Sequence, residues 1–209
     1  GSATVDNNTG LITCISIGTV TLTTTSSGDT DYYSASTSQL ITIGKATPTL
    51  TITSVNNLLV DGSLTATTIT NATLGRGGLI TYSIAGGSGS ATVNSSTGLI
   101  AGIGAGTVTL TAGSEDDSNY YGTSTSQVLT INKTTPTLAI TSSSTINVDD
   151  SLTVMLSTTA DVSSGGTLSY SVVAGSGSAT VNSNGLLTAT GAGTVTLTVS
   201  SAGDTNYNG

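Results

Sequence analysis

The feature that most constrains this chain is a phrase that occurs three times. It reads GSATVDNNTGLI from Gly1, GSATVNSSTGLI from Gly89 and GSATVNSNGLL from Gly177, so successive copies begin 88 residues apart. Other phrases keep this spacing, shortened by one residue in the last copy. A period of this length predicts a series of similar structural units.

The period places one complete unit over residues 45–132. Residues 1–44 correspond to the C-terminal half of a unit. Residues 133–209 correspond to a unit that lacks its last strand, the counterpart of TSTSQVLTIN. We therefore expect the chain to be an excerpt from a longer tandem array. Each unit would then contact the neighbouring repeats of the same chain, which are its predicted partners.

Within each unit, apolar residues alternate with Thr or Ser, as Val20 and Leu22 do in GTVTLTT. This period of two indicates half-buried β-strands, and Gly, Asn and Asp clusters mark the turns between them. The pattern predicts seven strands in the complete unit, at 49–54, 63–70, 78–86, 89–94, 98–104, 106–113 and 123–132. Seven short strands in about 90 residues predict an all-β fold of tandem antiparallel immunoglobulin-like β-sandwiches. Pro48 and Pro136 occupy the same repeat position and predict stiff junctions, and hence a rod-like array.

Two stretches, GSATVNSSTGLIAGIGAGTVTLTA and DSNYYGTSTSQVLTINKTTPTLAI, resemble the bacterial Ig-like repeats found in tandem in large surface proteins and adhesins. The resemblance covers essentially the whole chain. It implies an extracellular or cell-surface location and a structural role as the shaft of an adhesin or extracellular filament. Because such repeats serve several roles, a glycan- or protein-binding module and an accessory segment of a secreted enzyme stay open as alternatives.

Composition excludes several other classes of function. Only 7% of the residues are charged, and the three basic residues, Lys45, Arg76 and Lys133, cannot form the basic stripe that nucleic-acid binding needs. No apolar run approaches the roughly 20 residues of a membrane-spanning helix, so we expect no membrane insertion in this segment. Without His, and with one Cys, the chain has neither a Ser/His/Asp nor a Cys/His set, and we expect no enzyme activity.

The single cysteine, Cys14, has Gly102 and Ala189 as its counterparts in the other two copies. A position that tolerates small residues predicts a free, half-buried thiol. An intermolecular disulfide is the alternative.

The strongest candidate site is an acidic turn that recurs with the repeat. Its weak calcium candidates have the spacing Asp-x-Asp/Asn: Asp29 and Asp31, Asp117 and Asn119, and Asp204 and Asn206. Each turn supplies two or three ligating side chains, whereas calcium takes about six to eight oxygens. The alternative is an Asx-type turn, with the following Tyr anchoring the corner as a packing residue. No other cofactor is predicted.

The near absence of lysine leaves the strand edges unguarded and predicts possible self-association into fibres. Strand exchange is a second possibility, in which residues 34–44 of a neighbouring chain supply the strand missing from residues 133–209. The stretch from GSATV to the Tyr turn, which both partial units carry, argues against a perfect exchange.

Overall fold

The computed structural model describes residues 1–72, 79–159 and 167–209, and this part of the chain is all-β. It contains twenty strands and no helix. No helix in these ranges is therefore long and apolar enough to cross a membrane.

Residues 1–44 form two antiparallel pairs. Strand β1 (Ser2–Val5) pairs with β2 (Ile12–Ser16), and β3 (Gly18–Ser26) pairs with β4 (Ala35–Ile43).

Residues 45–132 form three sheets. Their strands are β5 (Leu50–Ile52), β6 (Asn57–Leu59), β7 (Ser63–Thr65), β8 (Thr68–Thr70), β9 (Ile80–Ala85), β10 (Ser90–Val93), β11 (Leu99–Gly104), β12 (Gly106–Ser114) and β13 (Thr123–Asn132). The sheet orders are β6-β13-β12-β9, β10-β11-β7 and β5-β8. Neighbouring strands are antiparallel, except that β6 runs parallel to β13.

Residues 133–209 repeat most of this arrangement. Their strands are β14 (Leu138–Ile140), β15 (Ser151–Thr153), β16 (Leu156–Thr158), β17 (Leu168–Ala174), β18 (Ser178–Val181), β19 (Leu186–Gly191) and β20 (Val195–Ser201). The sheet orders are β14-β16, β15-β19-β18 and β17-β20.

The recurring GSATV phrase forms the same bulged hairpin three times, as β1-β2, β10-β11 and β18-β19. The corner after each hairpin requires a glycine. Gly106 has φ 135°, and a Cβ there would lie 2.5 Å from the backbone nitrogen of Gly89. Gly18 and Gly193 have the same conformation, so the glycine that opens each GTVTLT phrase is dictated by this backbone.

The core of residues 45–132 draws on two of its sheets. Ile100 of β11 lies in one cluster with residues of β12 and β13, and the most completely buried side chains are Ile100, Leu110, Leu129, Ile131 and Val108. Burying aliphatic side chains from facing strands is the main source of stability in an all-β unit.

The structure corrects the strand prediction in two places. The segment 63–70 is not one strand but two, because β7 pairs with β11 whereas β8 pairs with β5. Between them Ala66 is buried and donates its backbone N–H to the carbonyl of Gly98 (2.8 Å). Strand β6 was not predicted, since three residues are too few to show a period. The prediction 78–86 begins on a residue outside the described ranges.

Candidate functional site: the acidic turns and the junctions they form

Each acidic turn is closed by its first aspartate. Oδ1 of Asp29 accepts hydrogen bonds from the backbone N–H groups of Asp31 and Tyr32, both at 2.8 Å. Asp117 and Asp204 accept the equivalent pairs at 2.7 Å. The Asx-type turn, one of the two predictions for this motif, is therefore formed in all three copies.

The same hydrogen bonds change the pKa of the Asp29 carboxyl group. The N–H groups of Asp31 and then Tyr32 favour the ionised form and hold the pKa of Asp29 below its ordinary value. The turn is thus best formed when Asp29 is charged.

The second and third turns also hold the segment that leads into their own unit. Ala46 donates its N–H to the carbonyl of Asn119 (3.0 Å) and accepts from the N–H of Tyr121 (2.9 Å). Thr134 makes the same two bonds, with the carbonyl of Asn206 (3.1 Å) and the N–H of Asn208 (2.9 Å). Two backbone hydrogen bonds therefore join the linker to the turn in each case.

A lysine reinforces each of these two linkers. Nζ of Lys45 lies 3.2 Å from Oδ2 of Asp116 and 5.5 Å from the centre of the Tyr121 ring. The pKa of Asp116 is lowered, first by a hydrogen bond from the backbone N–H of Gly122 and then by Lys45. Lys133 instead donates to the backbone carbonyl of Asp204.

The asparagine of the turn reaches across to the preceding part of the chain. Oδ1 of Asn206 accepts the backbone N–H of Ala105 (3.0 Å), and Oδ1 of Asn119 accepts the N–H of Ile17 (3.2 Å). Ile17 and Ala105 occupy the same repeat position, in the corner before the GTVTLT strand. The same cross-junction bond is thus made twice, by residues 101 or more positions apart in the chain.

The tyrosine completes the junction between residues 45–132 and the third turn. Tyr207 is 5% exposed and belongs to the same hydrophobic cluster as Ile100 and Leu110. Its hydroxyl donates to Oδ2 of Asp61 (2.6 Å). The hydroxyl of Thr134 adds a bond to the carbonyl of Val60 (2.6 Å). We name the contacts of Asn206, Tyr207 and Thr134 with Ala105, Asp61 and Val60 the Tyr207 junction.

Sequence reasoning singled out the turn but missed two of its partners, Asp61 and the backbone N–H of Ala105. The sequence did contain a sign that Asp61 matters. The pair Val60-Asp61 before β7 recurs before β15 as Val148-Asp149. Asp61 and Asp149 are the only described residues other than glycine with positive φ, at 63° and 69°.

The junction at Ile17 is more open. A cleft of about 360 Å³ lies between residues 1–44 and the second turn, lined by residues that include Cys14, Ile17, Ile43, Asn119 and Tyr120. Cys14 is a free thiol and is exposed, so the prediction of a half-buried position was wrong. Its counterpart Gly102 lies on β11, which β7 covers on one edge, whereas the described partner of β2 is β1 alone.

Five of the six residues proposed for calcium already use one side-chain oxygen, Oδ1, in hydrogen bonds, whereas Oδ2 of Asp204 is buried without a hydrogen-bond partner. Asp29, Asp117 and Asp204 each accept two backbone N–H groups, and Asn119 and Asn206 each accept one from across a junction. Across the three described ranges, no three His, Cys, Asp or Glu side chains lie close enough together to hold a metal ion. Calcium binding at these residues, Asp31 included, stays a prediction.

The tyrosines divide into packed and exposed ones. Tyr207 is buried, and Tyr82 on β9 packs against the core. Tyr32 and Tyr33 of the first turn are 76% and 101% exposed and Tyr121 of the second turn is 50% exposed, so the prediction that the turn tyrosines pack was wrong for these three.

No protein-family model matches this chain, and no curated protein is similar enough to it to count as a relative.

Proposed function

We propose that the chain is a structural, non-catalytic segment in which immunoglobulin-like sandwiches follow one another in series and form the shaft of a cell-surface adhesin or extracellular filament. Residues 45–132 form the complete unit. Residues 1–44 form the half unit before it, and residues 133–209 form the incomplete unit after it. Length grows with the number of units in such an array.

The sandwich arrangement is supported by the composition of the core. Apolar residues of the sheet β6-β13-β12-β9 and of the sheet β10-β11-β7 share one buried cluster, as they would if the two sheets packed face to face. The parallel pairing of β6 with β13 beside otherwise antiparallel strands is consistent with this arrangement.

The Tyr207 junction carries the proposal. A spacer has to transmit orientation from one unit to the next, which requires contacts on both sides of a short linker. Here Pro136 stiffens the linker, the turn is bonded to the linker through Thr134, and Asn206 and Tyr207 bind the preceding unit. The backbone N–H of Ile17 makes the equivalent hydrogen bond to Asn119, which supports a contact that recurs at each junction.

The absence of a catalytic set in the sequence supports a non-catalytic role, since the chain has no histidine and a single cysteine. The cell-surface location rests on the resemblance of the repeats to the tandem Ig-like repeats of surface proteins.

Electron microscopy of the native cells, combined with gold-labelled antibodies against the chain, tests the proposal. We expect label on rods or fibres outside intact cells. Label that appears only after the cells are opened, or on isolated globular particles, would refute a shaft.

A further inference from the structure

Strand β12 carries a glycine at a position where its two counterparts carry hydroxyl side chains. Gly113 occupies the repeat position of Thr25 on β3 and Ser200 on β20. The backbone does not require this glycine, because its φ lies outside the left-handed region and an added Cβ would meet no atom beyond its chain neighbours closer than 3.7 Å. A glycine inside a strand often marks a place where a ligand approaches the backbone closely.

The missing side chain leaves a notch in the outer face of the sheet β6-β13-β12-β9. Gly113 lies opposite Thr81 of β9 on one side and opposite Ser124 of β13 on the other, and both of these residues are exposed. Neighbouring strands lie about 4.8 Å apart, so the two hydroxyl side chains stand roughly 10 Å apart with only backbone between them. In the third copy this row is filled, since Ser200 lies opposite Ser169.

The notch belongs to a polar cleft of about 650 Å³. Besides the three residues of the notch, its lining comes from the facing ends of β12 and β13 and from the loop between them: Ser114, Glu115, Gly122 and Thr123. Among the described residues that line the cleft, none is basic and none is a large apolar residue. The cleft therefore suits an uncharged ligand rich in hydrogen-bonding groups.

Glu115 supplies the one charge of this lining. It occurs in this copy alone, because Ser27 and Ala202 occupy the same repeat position. Within the described ranges its carboxylate has no hydrogen bond or ion pair, whereas the neighbouring Asp116 is paired with Lys45. Both oxygens of Glu115 are therefore free to accept hydrogen bonds from a ligand.

The preceding unit leaves the equivalent surface of the third copy open. There the junction with the complete unit is made by Asn206 and Tyr207. The counterparts of the cleft residues stay exposed beside that junction, at Ser169, Ser200 and Ala202. The cleft lies wholly within the complete unit, and its opening does not depend on the residues at either end of the chain.

We propose that this cleft binds a neutral sugar, whose ring lies over the backbone of Gly113 and whose hydroxyl groups bond to Thr81, Ser124 and Glu115. A pyranose ring has a flat C–H face, and a glycine lets such a face approach the backbone. The hydroxyls of Thr81 and Ser124 both donate and accept, and a carboxylate accepts from two neighbouring sugar hydroxyls. An acidic sugar would be repelled by Glu115. The proposal uses residues 81–124 alone and does not rest on the role as a shaft.

NMR titration of the isotope-labelled 209-residue chain tests the proposal. The probes are the methyl glycosides of glucose, galactose, mannose and N-acetylglucosamine, with N-acetylneuraminic acid as the acidic sugar and trilysine as a cationic peptide. We expect at least one neutral glycoside to shift the amide signals of Gly113, Glu115 and Ser124 saturably, with a Kd of the order of 1 mM. We expect the acidic sugar to leave these signals unchanged.

Three variants locate the binding. Gly113→Thr fills the notch with the side chain that Thr25 carries at the same repeat position, and should weaken binding about tenfold or more. Glu115→Gln keeps the shape of the side chain but removes its charge, and should also weaken binding. Gly86→Ala is the control, because it introduces the residue found at Ala174 and an added Cβ meets nothing within 4 Å. It should bind as the original chain does.

Three results would each overturn the proposal. The first is that no neutral glycoside shifts the amides of the cleft. The second is that Gly113→Thr binds the sugar as tightly as the original chain. The third is that trilysine alone shifts these amides and loses its effect in Glu115→Gln, since the cleft would then be an acidic surface that attracts cations.

Discussion

The hydroxyl of Tyr207 donates a 2.6 Å hydrogen bond to Oδ2 of Asp61, which lies 146 residues earlier in the chain. The ring of Tyr207 is buried in one cluster with Ile100 and Leu110, while its backbone belongs to a turn that Asp204 closes. A local turn therefore fixes a distant contact.

Replacing Tyr207 with Phe removes the hydroxyl and keeps the ring. The part-buried hydrogen bond to the carboxylate of Asp61 is lost, so we expect the free energy of unfolding to fall by about 1–2 kcal/mol. Chemical denaturation followed by tyrosine fluorescence measures this change.

Tyr121→Phe is the matched control. Tyr121 is half exposed, and its backbone N–H, which the substitution keeps, makes the bond to Ala46. We expect no measurable change. If Tyr207→Phe were as stable as the original chain, the bond to Asp61 would not contribute to the junction.

Replacing Asn206 with Ala removes the acceptor for the N–H of Ala105. We expect faster hydrogen exchange at this one amide and a loss of about 0.5–1.5 kcal/mol in unfolding free energy. Asn206→Asp keeps an acceptor oxygen, as Asp31 does at this position of the first turn, and should keep the protection. Unchanged exchange at Ala105 in Asn206→Ala would show that the bond does not hold in solution.

The stability of the fold should fall at low pH, because two turn aspartates must stay ionised. The folded chain lowers the pKa of Asp29 and Asp116, so their ionised forms stabilise the fold. This stability is complete above the pKa of the unfolded chain, near the ordinary value of 3.8, and is lost as the pH falls through the lower folded values.

NMR titration of the side-chain carboxyl carbons checks this prediction. We expect Asp29 and Asp116 to titrate at a lower pH in the folded chain than in the same chain unfolded in urea. Titration at the same pH in both states would mean that the N–H groups of Asp31 and Gly122 do not hold these carboxylates.

The corner glycines should not tolerate a side chain. Gly106→Ala puts a Cβ at φ 135° and within 2.5 Å of the backbone of Gly89, and should cost about 1–3 kcal/mol or more. Gly113→Ala on the same strand meets nothing closer than 3.7 Å and should change stability by less than about 0.5 kcal/mol. Thermal unfolding of the two variants compares them, and equal midpoints would rule out strain at the corner.

The sequence predicts the strands of this chain well where the period of two is long. The alternation in GTVTLT predicts which residues of β12 face the core. The structure buries Val108 and Leu110, whereas Thr107 is exposed and Thr109 and Thr111 are half-buried. The period fails for short elements, so that β6 was missed and the break at Ala66 between β7 and β8 was not seen.

The sequence predicts the turn itself but not the residues that the turn contacts. The Asp-x-Asn-Tyr pattern is enough to suggest an Asx turn, since Asp bonds the backbone two and three residues on. Its partners could not be predicted, because one of them is the backbone N–H of Ala105, and nearly every residue type has a backbone N–H. The exposure of Tyr32, against the burial of Tyr207, depends on which surface covers each ring and not on the turn itself.

Small-angle X-ray scattering of the 209-residue chain tests most directly whether units joined in series form a stiff spacer. A compact globule of this length would have a radius of gyration of about 17 Å. We expect a clearly larger value with the profile of a rod, and a broader distribution of dimensions when Asn206→Ala and Tyr207→Phe are combined. A radius near about 17 Å for the original chain would contradict the arrangement of units in series.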